Sequence, residues 1–296
     1  MAHAKTKMDI EAVIIESPNI DVDIIGEALI ALDLTPASYT DLETGRTTTY
    51  LVNETRAEAD ALAARLATAF EEWKPLLSAM PAISVKSIKQ EDWSQTWKKN
   101  FHTFRASRRL VVKPSWEEYD AQPDDLVLPI DPGMCFGTGY HGTTRACLTF
   151  LDKLQEKHGK MSFIDAGTGS GILSIGARLL GYSPVEAFDN DPQCIPTALE
   201  NLELAGFKDV KVTCAPLGGF KPTHPADVVA ANILAVVLMK QTEDVIALAR
   251  PGGYLILSGI LIEQYDALRK AFTDKGCIEI EQTTLNEWRS GLFTRP

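Results

Sequence analysis

The chain has 296 residues, 45% of them hydrophobic and 23% charged, with a formal net charge of −11. That balance is ordinary for a folded chain with room for two domains, and it excludes a low-complexity or fibrous sequence. No apolar run approaches the ~20 residues of a membrane span, and the leading MAHAKTKMDIEAV lacks the apolar core of a secretory signal, so a cytoplasmic protein is expected. The charge is uneven: residues 1–86 hold 14 acids and 7 bases, residues 87–296 hold 26 and 22. An acidic leading segment disfavours naked nucleic acid, where phosphate attraction dominates, and suits a basic protein partner. A solvated surface kept for solubility accounts for the charge equally well. The five cysteines (135, 147, 194, 214 and 277) are scattered without a C-x-x-C, so the expected state is small buried thiols, with no disulfide framework and no metal.

In chain order, residues 8–15 alternate like a strand, and 20–32 carry Ile24, Ile25, Ala28, Leu29 and Leu32 at helical spacing. Two short strands are predicted near 37–41 and 47–52, divided by Glu43-Thr44-Gly45. A helix is predicted over 54–73 and a further strand over 82–89. The order β-α-β-β-α-β predicts a small α+β ferredoxin-like domain over residues 1–87. Residues 88–125 are polar, basic and aromatic and are expected to form a linker. Trp93 and Trp97 would share a helix face, and Lys98, Lys99, Arg105, Arg108, Arg109 and Lys113 would serve either packing or contact with a partner. From 126 to 296 strands predicted at 126–130, 162–165, 185–189, 210–214, 228–231, 254–258, 278–283 and 292–294 alternate with helices. This implies a Rossmann-like α/β sheet, mostly parallel, with an antiparallel pair at one edge.

Three segments of that second domain carry chemistry. Ile164-Asp165-Ala166-Gly167-Thr168-Gly169-Ser170-Gly171 lies at a strand-to-helix junction, where glycines let a ligand approach the backbone. Eighteen residues after Gly171 comes Asp189, an acid at a strand end, where a carboxylate can accept both hydroxyls of a ribose. The glycine spacing is G-x-G-x-G and not the G-x-G-x-x-G of dinucleotide enzymes. Residues 131–144, DPGMCFGTGYHGTT, form a second glycine-rich segment before a helix that Thr143 and Thr144 are placed to cap. Asn232 ends the apolar strand DVVAAN. It can offer its side-chain carbonyl to an amine, or cap the next helix.

The glycine motif with its upstream Asp165 resembles motif I of the class I methyltransferases, which use S-adenosylmethionine. More broadly, DPGMCFGTGYHGTT, IDAGTGSGILSIGA, FDNDP, DVVAANILA and LSGIL follow the order found in the large-subunit ribosomal protein eleven methyltransferase family (PrmA). EDWSQTW, FHTF and the terminal EWRSGLFTRP are similar to that family as well, so the resemblance covers residues 88–296. Tyr140, and Gly142 where proline is usual, depart from its pattern.

The resemblance implies that Thr144, Gly167, Gly169, Asp189 and Asn232 contact S-adenosylmethionine, that Phe136, Thr138 and Leu234 line the methyl-transfer pocket, and that Asn232 is the catalytic residue. It implies methylation of lysine and N-terminal amines of a basic ribosomal protein gripped by residues 1–87. No residue demands the role of general base: His141 is nearest by motif and is expected to order its loop, while His102 is expected to pack and His3, His158 and His224 to lie on the surface. The alternatives are the same chemistry on another protein lysine, a nicotinamide-dependent oxidoreductase, and a non-catalytic binding protein. Oligomeric state is not legible in the sequence.

Overall fold

The computed structural model describes residues 10–32, 34, 37–41, 45–53, 55–88, 102–131 and 142–296. The chain divides into two compact units, Met1–Phe101 and His102–Pro296.

In the first unit β1 (Ile10–Pro18), α1 (Val22–Ala31), β2 (Ala37–Asp41), β3 (Arg46–Asn53), α2 (Arg56–Trp73) and β4 (Ala82–Ile88) follow the predicted order. The strands form one antiparallel sheet, β2-β3-β1-β4, the split ferredoxin-like topology. Val13 and Ile15 of β1 and Leu51 of β3 pack against Ile25 and Leu29 of α1 and Ala59, Leu66 and Phe70 of α2. The helix α2 starts in a reciprocal cap: Thr55 Oγ accepts from Glu58 N, and Glu58 Oε2 accepts from Thr55 N. The buried Asp21 accepts from Ser78 N, Ser78 Oγ and Ala79 N, tying the start of α1 to the chain beyond α2.

In the second unit β5 (Phe104–Arg105), β6 (Leu110–Lys113) and β7 (Leu126–Pro129) make a three-stranded sheet. Then come α3 (Gly142–His158), β8 (Phe163–Ala166), α4 (Ile172–Leu180), β9 (Val185–Asp189), α5 (Cys194–Leu204) and β10 (Lys211–Cys214). They are followed by β11 (Ala226–Asn232), α6 (Ala235–Lys240), α7 (Thr242–Leu248), β12 (Ala249–Leu261), α8 (Ile262–Thr273), β13 (Ile278–Leu285) and β14 (Trp288–Thr294). The seven-stranded sheet runs β10-β9-β8-β11-β12-β14-β13. It is parallel from β10 to β12 and antiparallel at β14 and β13. Helices cover both faces, which is why β8 and β9 are buried along their whole length and read as near-continuous apolar runs.

The structure departs from expectation at several points. The strand predicted at 126–130 does not open the α/β alternation: it pairs in parallel with β6, outside the large sheet. Residues 102–125, part of the segment expected as a linker, supply β5 and β6. Their arginines, which mask the strands in the sequence, form ion pairs within the unit: Arg105 with Asp125, Arg108 with Glu156 and Arg109 with Asp152. Trp93, Trp97, Lys98 and Lys99 lie outside the described residues. His102, expected to pack, is exposed and bonded through Nδ1 to Glu117 at 2.6 Å. Cys214 is exposed, while Cys147, Cys194 and Cys277 are buried; burial pushes the Cys147 thiol up to about 12.

Asp152, on α3, locks β5 and β6 to that helix. It accepts from Ser107 Oγ at 2.6 Å, Arg109 N at 3.0 Å and Arg109 Nε at 2.6 Å. Burial works against its charge, and these donors hold its carboxyl below the usual range nonetheless. Asp152→Ala strands the Arg109 charge and the Ser107 hydroxyl, at a cost of about 3 kcal/mol. The expected drop in Tm is about 6–12 °C. A differential scan of the variant checks this; an unchanged Tm would show that the cluster is solvated and idle.

Candidate functional site

The carboxyl ends of β8, β9 and β11 converge on one edge of the sheet, where open α/β sheets hold ligands. Between β8 and α4 the chain turns through Gly167, Gly169 and Gly171, with φ of 75°, 52° and 85°. Gly167 N and Thr168 N both donate to Phe188 O of β9, at 2.9 and 3.0 Å. A Cβ on Gly167 would lie 2.5 Å from Ile233 Cγ2, so only glycine fits this close approach to the chain after β11.

Asp165 braces this turn from beneath. Its Oδ2 accepts from Thr168 Oγ at 2.8 Å, Ser174 N at 3.1 Å and Ser174 Oγ at 2.7 Å. Its Oδ1 is buried without a partner among the described residues. Burial lifts the carboxyl to about 6 against the pull of Ser174 and Thr168, with the neighbouring Asp189 charge adding to the rise.

Asp189, 8% exposed, closes the loop from the side. Its Oδ2 accepts from Gly169 N at 2.8 Å and its Oδ1 from Asp191 N at 3.0 Å. Each oxygen keeps a further lone pair, so the carboxylate can still accept two hydroxyls.

Asn232 is the last residue of β11. Its Nδ2 donates to Thr144 Oγ at 3.4 Å, and its Oδ1 is buried with no partner among the described residues. The capping alternative is not what the structure shows: Leu234 is the N-cap of α6, with no side-chain cap bond, and is 53% exposed. Thr143 and Thr144, expected to cap α3, are instead the second and third residues of that helix, both fully buried. The helix reaches back to Gly142, where a Cβ would lie 3.0 Å from Leu285 Cβ. Phe136, Thr138, Tyr140 and His141 fall outside the described residues.

Sequence reasoning missed the groups behind Asn232. Ser258 of β12 sits opposite Asn232 in register. Its hydroxyl, fully buried, donates to Thr143 O at 3.2 Å and accepts from Ser290 Oγ at 2.7 Å. The β12–β14 register shifts between Leu257 and Ile260, and Gly259 there has φ 82°. A Cβ on Gly259 would lie 2.5 Å from Ile233 O. The quoted LSGIL contained the only signal: a glycine interrupting an apolar strand marks a bulge or a close backbone approach.

Residues 6–295 match the family described as Ribosomal protein L11 methyltransferase (PrmA). The chain belongs to this family. It is 43% identical over 227 residues to the Ribosomal protein L11 methyltransferase of Geobacter sp. (strain M21), covering 74% of this chain and 71% of that protein. The protein of that name from Chloroflexus aurantiacus (strain ATCC 29366 / DSM 635 / J-10-fl) is 38% identical over 239 residues, 72% of each chain. Among solved structures, the ribosomal protein L11 methylase of Lactobacillus delbrueckii subsp. bulgaricus has a TM-score of 0.60 at 28% identity, over 66% of this chain and 99% of that one. The chain is a PrmA-family methyltransferase, and its methyl donor is S-adenosylmethionine. The residues present fit that donor: a cradle with no room for side chains at Gly167, a carboxylate with spare lone pairs at Asp189, and an orphaned buried carbonyl at Asn232.

The raised carboxyl of Asp165 has a consequence for stability. Unfolded, an Asp titrates near about 3.9; folded, Asp165 titrates at about 6. Between these values the folded state binds the extra proton, so this group's contribution falls as pH rises through that window and is flat above it. The size is about 3 kcal/mol. Asp165→Asn removes the penalty, so its stability relative to the parent should rise by that order between about pH 4 and about pH 7. Urea titrations at the two pH values check this; a pH-independent difference would refute the assignment.

Proposed function

We propose that this methyltransferase transfers methyl groups from S-adenosylmethionine to lysine side chains and the N-terminal amine of large-subunit ribosomal protein L11. The observation that carries the reading is the buried, unpartnered Asn232 Oδ1 beside the glycine loop, an acceptor aimed where an amine N–H would complete it. The names of the relatives supply the substrate. We further propose that residues 1–87, which hold an excess of acids, grip this basic protein, and that the enzyme works in the cytoplasm.

When bound, S-adenosylmethionine supplies a methyl group already activated on a sulfonium. The chain therefore has to bind, align and desolvate. Asp189 takes the ribose hydroxyls, held rigid by the amides of Gly169 and Asp191. Gly167 and Gly169 admit the methionine end to the backbone. Thr144 holds the carboxamide of Asn232 through Nδ2, which leaves Oδ1 to accept an N–H of the incoming amine, a contact that would orient that amine for transfer. Leu234, two residues beyond Asn232, would form part of the wall of the transfer pocket. A lysine must be neutral to react, which at pH 7 costs about 4–5 kcal/mol. Apolar walls supply part of this by disfavouring the ammonium form. Asn232 does not take up the proton; after transfer it leaves with the product amine or passes to solvent.

Asp189→Ala should weaken S-adenosylmethionine binding about 100-fold, the loss of a two-pronged carboxylate contact. Calorimetry checks this, and an unchanged affinity would remove Asp189 from the site. Intact mass of L11 after incubation with enzyme and donor should rise in steps of about 14 Da per methyl. Asn232→Ala should slow those steps at least about 100-fold with donor affinity changed less. No mass gain by an enzyme that binds the donor would redirect the substrate assignment to another protein lysine.

A further inference from the structure

Asn201 lies on α5 and is 4% exposed. Its carboxamide joins two segments that are far apart in the sequence. Nδ2 donates to Ser170 O at 2.9 Å, inside the glycine loop. Oδ1 accepts from Asp131 N at 3.2 Å, the first residue of DPGMCFGTGYHGTT. The Asp131 carboxylate is engaged elsewhere, accepting from Ser115 N at 2.9 Å and Ser115 Oγ at 2.8 Å. One turn earlier on the same helix, Ala198 is what a Cβ on Gly171 would meet, at 3.3 Å from Ala198 Cα and O. The helix thus meets the glycine loop at two successive turns, once by packing and once by a hydrogen bond.

We propose that Asn201 is a positioning residue for methyl transfer: its carboxamide ties the glycine loop at Ser170 to the chain at Asp131 and so holds that loop in place for S-adenosylmethionine. This rests on the assignment of the glycine loop to the donor site. The chemistry demands an amide. One end must donate to a carbonyl and the other must accept from a backbone N–H, and Asn presents both in one plane. A hydroxyl cannot span the two groups. A carboxylate of the same shape keeps the Asp131 contact but sets a lone pair against Ser170 O. Protonated, the same carboxyl donates again.

The test is calorimetric binding of S-adenosylhomocysteine to the parent, Asn201→Asp and Asn201→Ser, at about pH 8 and about pH 5, with the Tm of each ligand-free protein alongside. Asn201→Asp should bind about tenfold more weakly than the parent at the higher pH. At the lower pH the deficit should shrink to about threefold or less as burial favours the protonated carboxyl. Asn201→Ser should remain about tenfold weaker at both. Asp131, Asp165 and Asp189 around the loops, and Glu200 and Glu203 on the helix itself, are present in all three proteins, so the ratio to the parent isolates position 201. The proposal is overturned if Asn201→Asp binds like the parent at the higher pH. It is equally overturned if neither variant's deficit depends on pH and both track a loss of Tm. If Asn201→Asp does not fold, parent-like affinity of Asn201→Ser overturns it alone. A parent that fails to bind S-adenosylhomocysteine would strike the donor-site assignment itself, a different failure.

Discussion

The arrangement of the second unit's site depends on how closely two glycines pack on Ile233, one against its side chain and one against its backbone. Gly167 comes from the loop after β8, Gly259 from a bulge in β12, and Ile233 follows the end of β11 between them. A single methyl group at either glycine would stand 2.5 Å from Ile233. Well-packed interiors do not absorb such an intrusion by small local adjustment. The contact fixes the height of the turn that presents Asn232 relative to the loop that presents Gly167 and Gly169. Close packing at Ile233, and no single hydrogen bond, sets that spacing.

Around that contact the loops are held by carboxylates that do no chemistry of their own. Asp165 gathers two hydroxyls and an amide from below, and Asp189 gathers two amides from the side. Burial disfavours the charge of Asp165, and the neighbouring Asp189 carboxylate adds to that effect. The arrangement exchanges stability for rigidity: a loop that must cradle a ligand without rearranging is tied down before the ligand arrives, which lowers the ordering cost of binding.

Much of this was legible in the sequence, for reasons that are local. The period-two and apolar runs of β8, β9 and β11, the alternating glycines, and the acids and amide at strand ends all announce themselves within a few residues. The split β-α-β-β-α-β order of the first unit was legible in the same way. What escaped was either long-range or disguised. Asn201 meets partners 31 and 70 residues away and sits in an unremarkable amphipathic helix. Ser258 meets Thr143 at a separation of 115 and Ser290 at 32, and a serine in a strand carries no flag for either contact. The strands β5 and β6 were hidden because the cations around them suggest a solvated linker, when those charges are neutralised by Asp125, Asp152 and Glu156. Nor does the sequence show that the strand at 126–129 pairs outside the large sheet, since pairing partners are a property of topology and not of periodicity.

The antiparallel edge has a consequence for how the enzyme is made. β14 lies between β12 and β13, so β13 joins the large sheet only through a strand that follows it in the chain. During synthesis β12 leaves the ribosome with one flank unpaired, and Ser258 lacks Ser290 until residues 288–294 have emerged. The bulge that seats Ile233 is therefore among the last features of the site to be completed. A growing chain can carry Gly167, Asp189 and Asn232 and still lack the strand that completes the packing behind them, so the finished arrangement arrives late and at once.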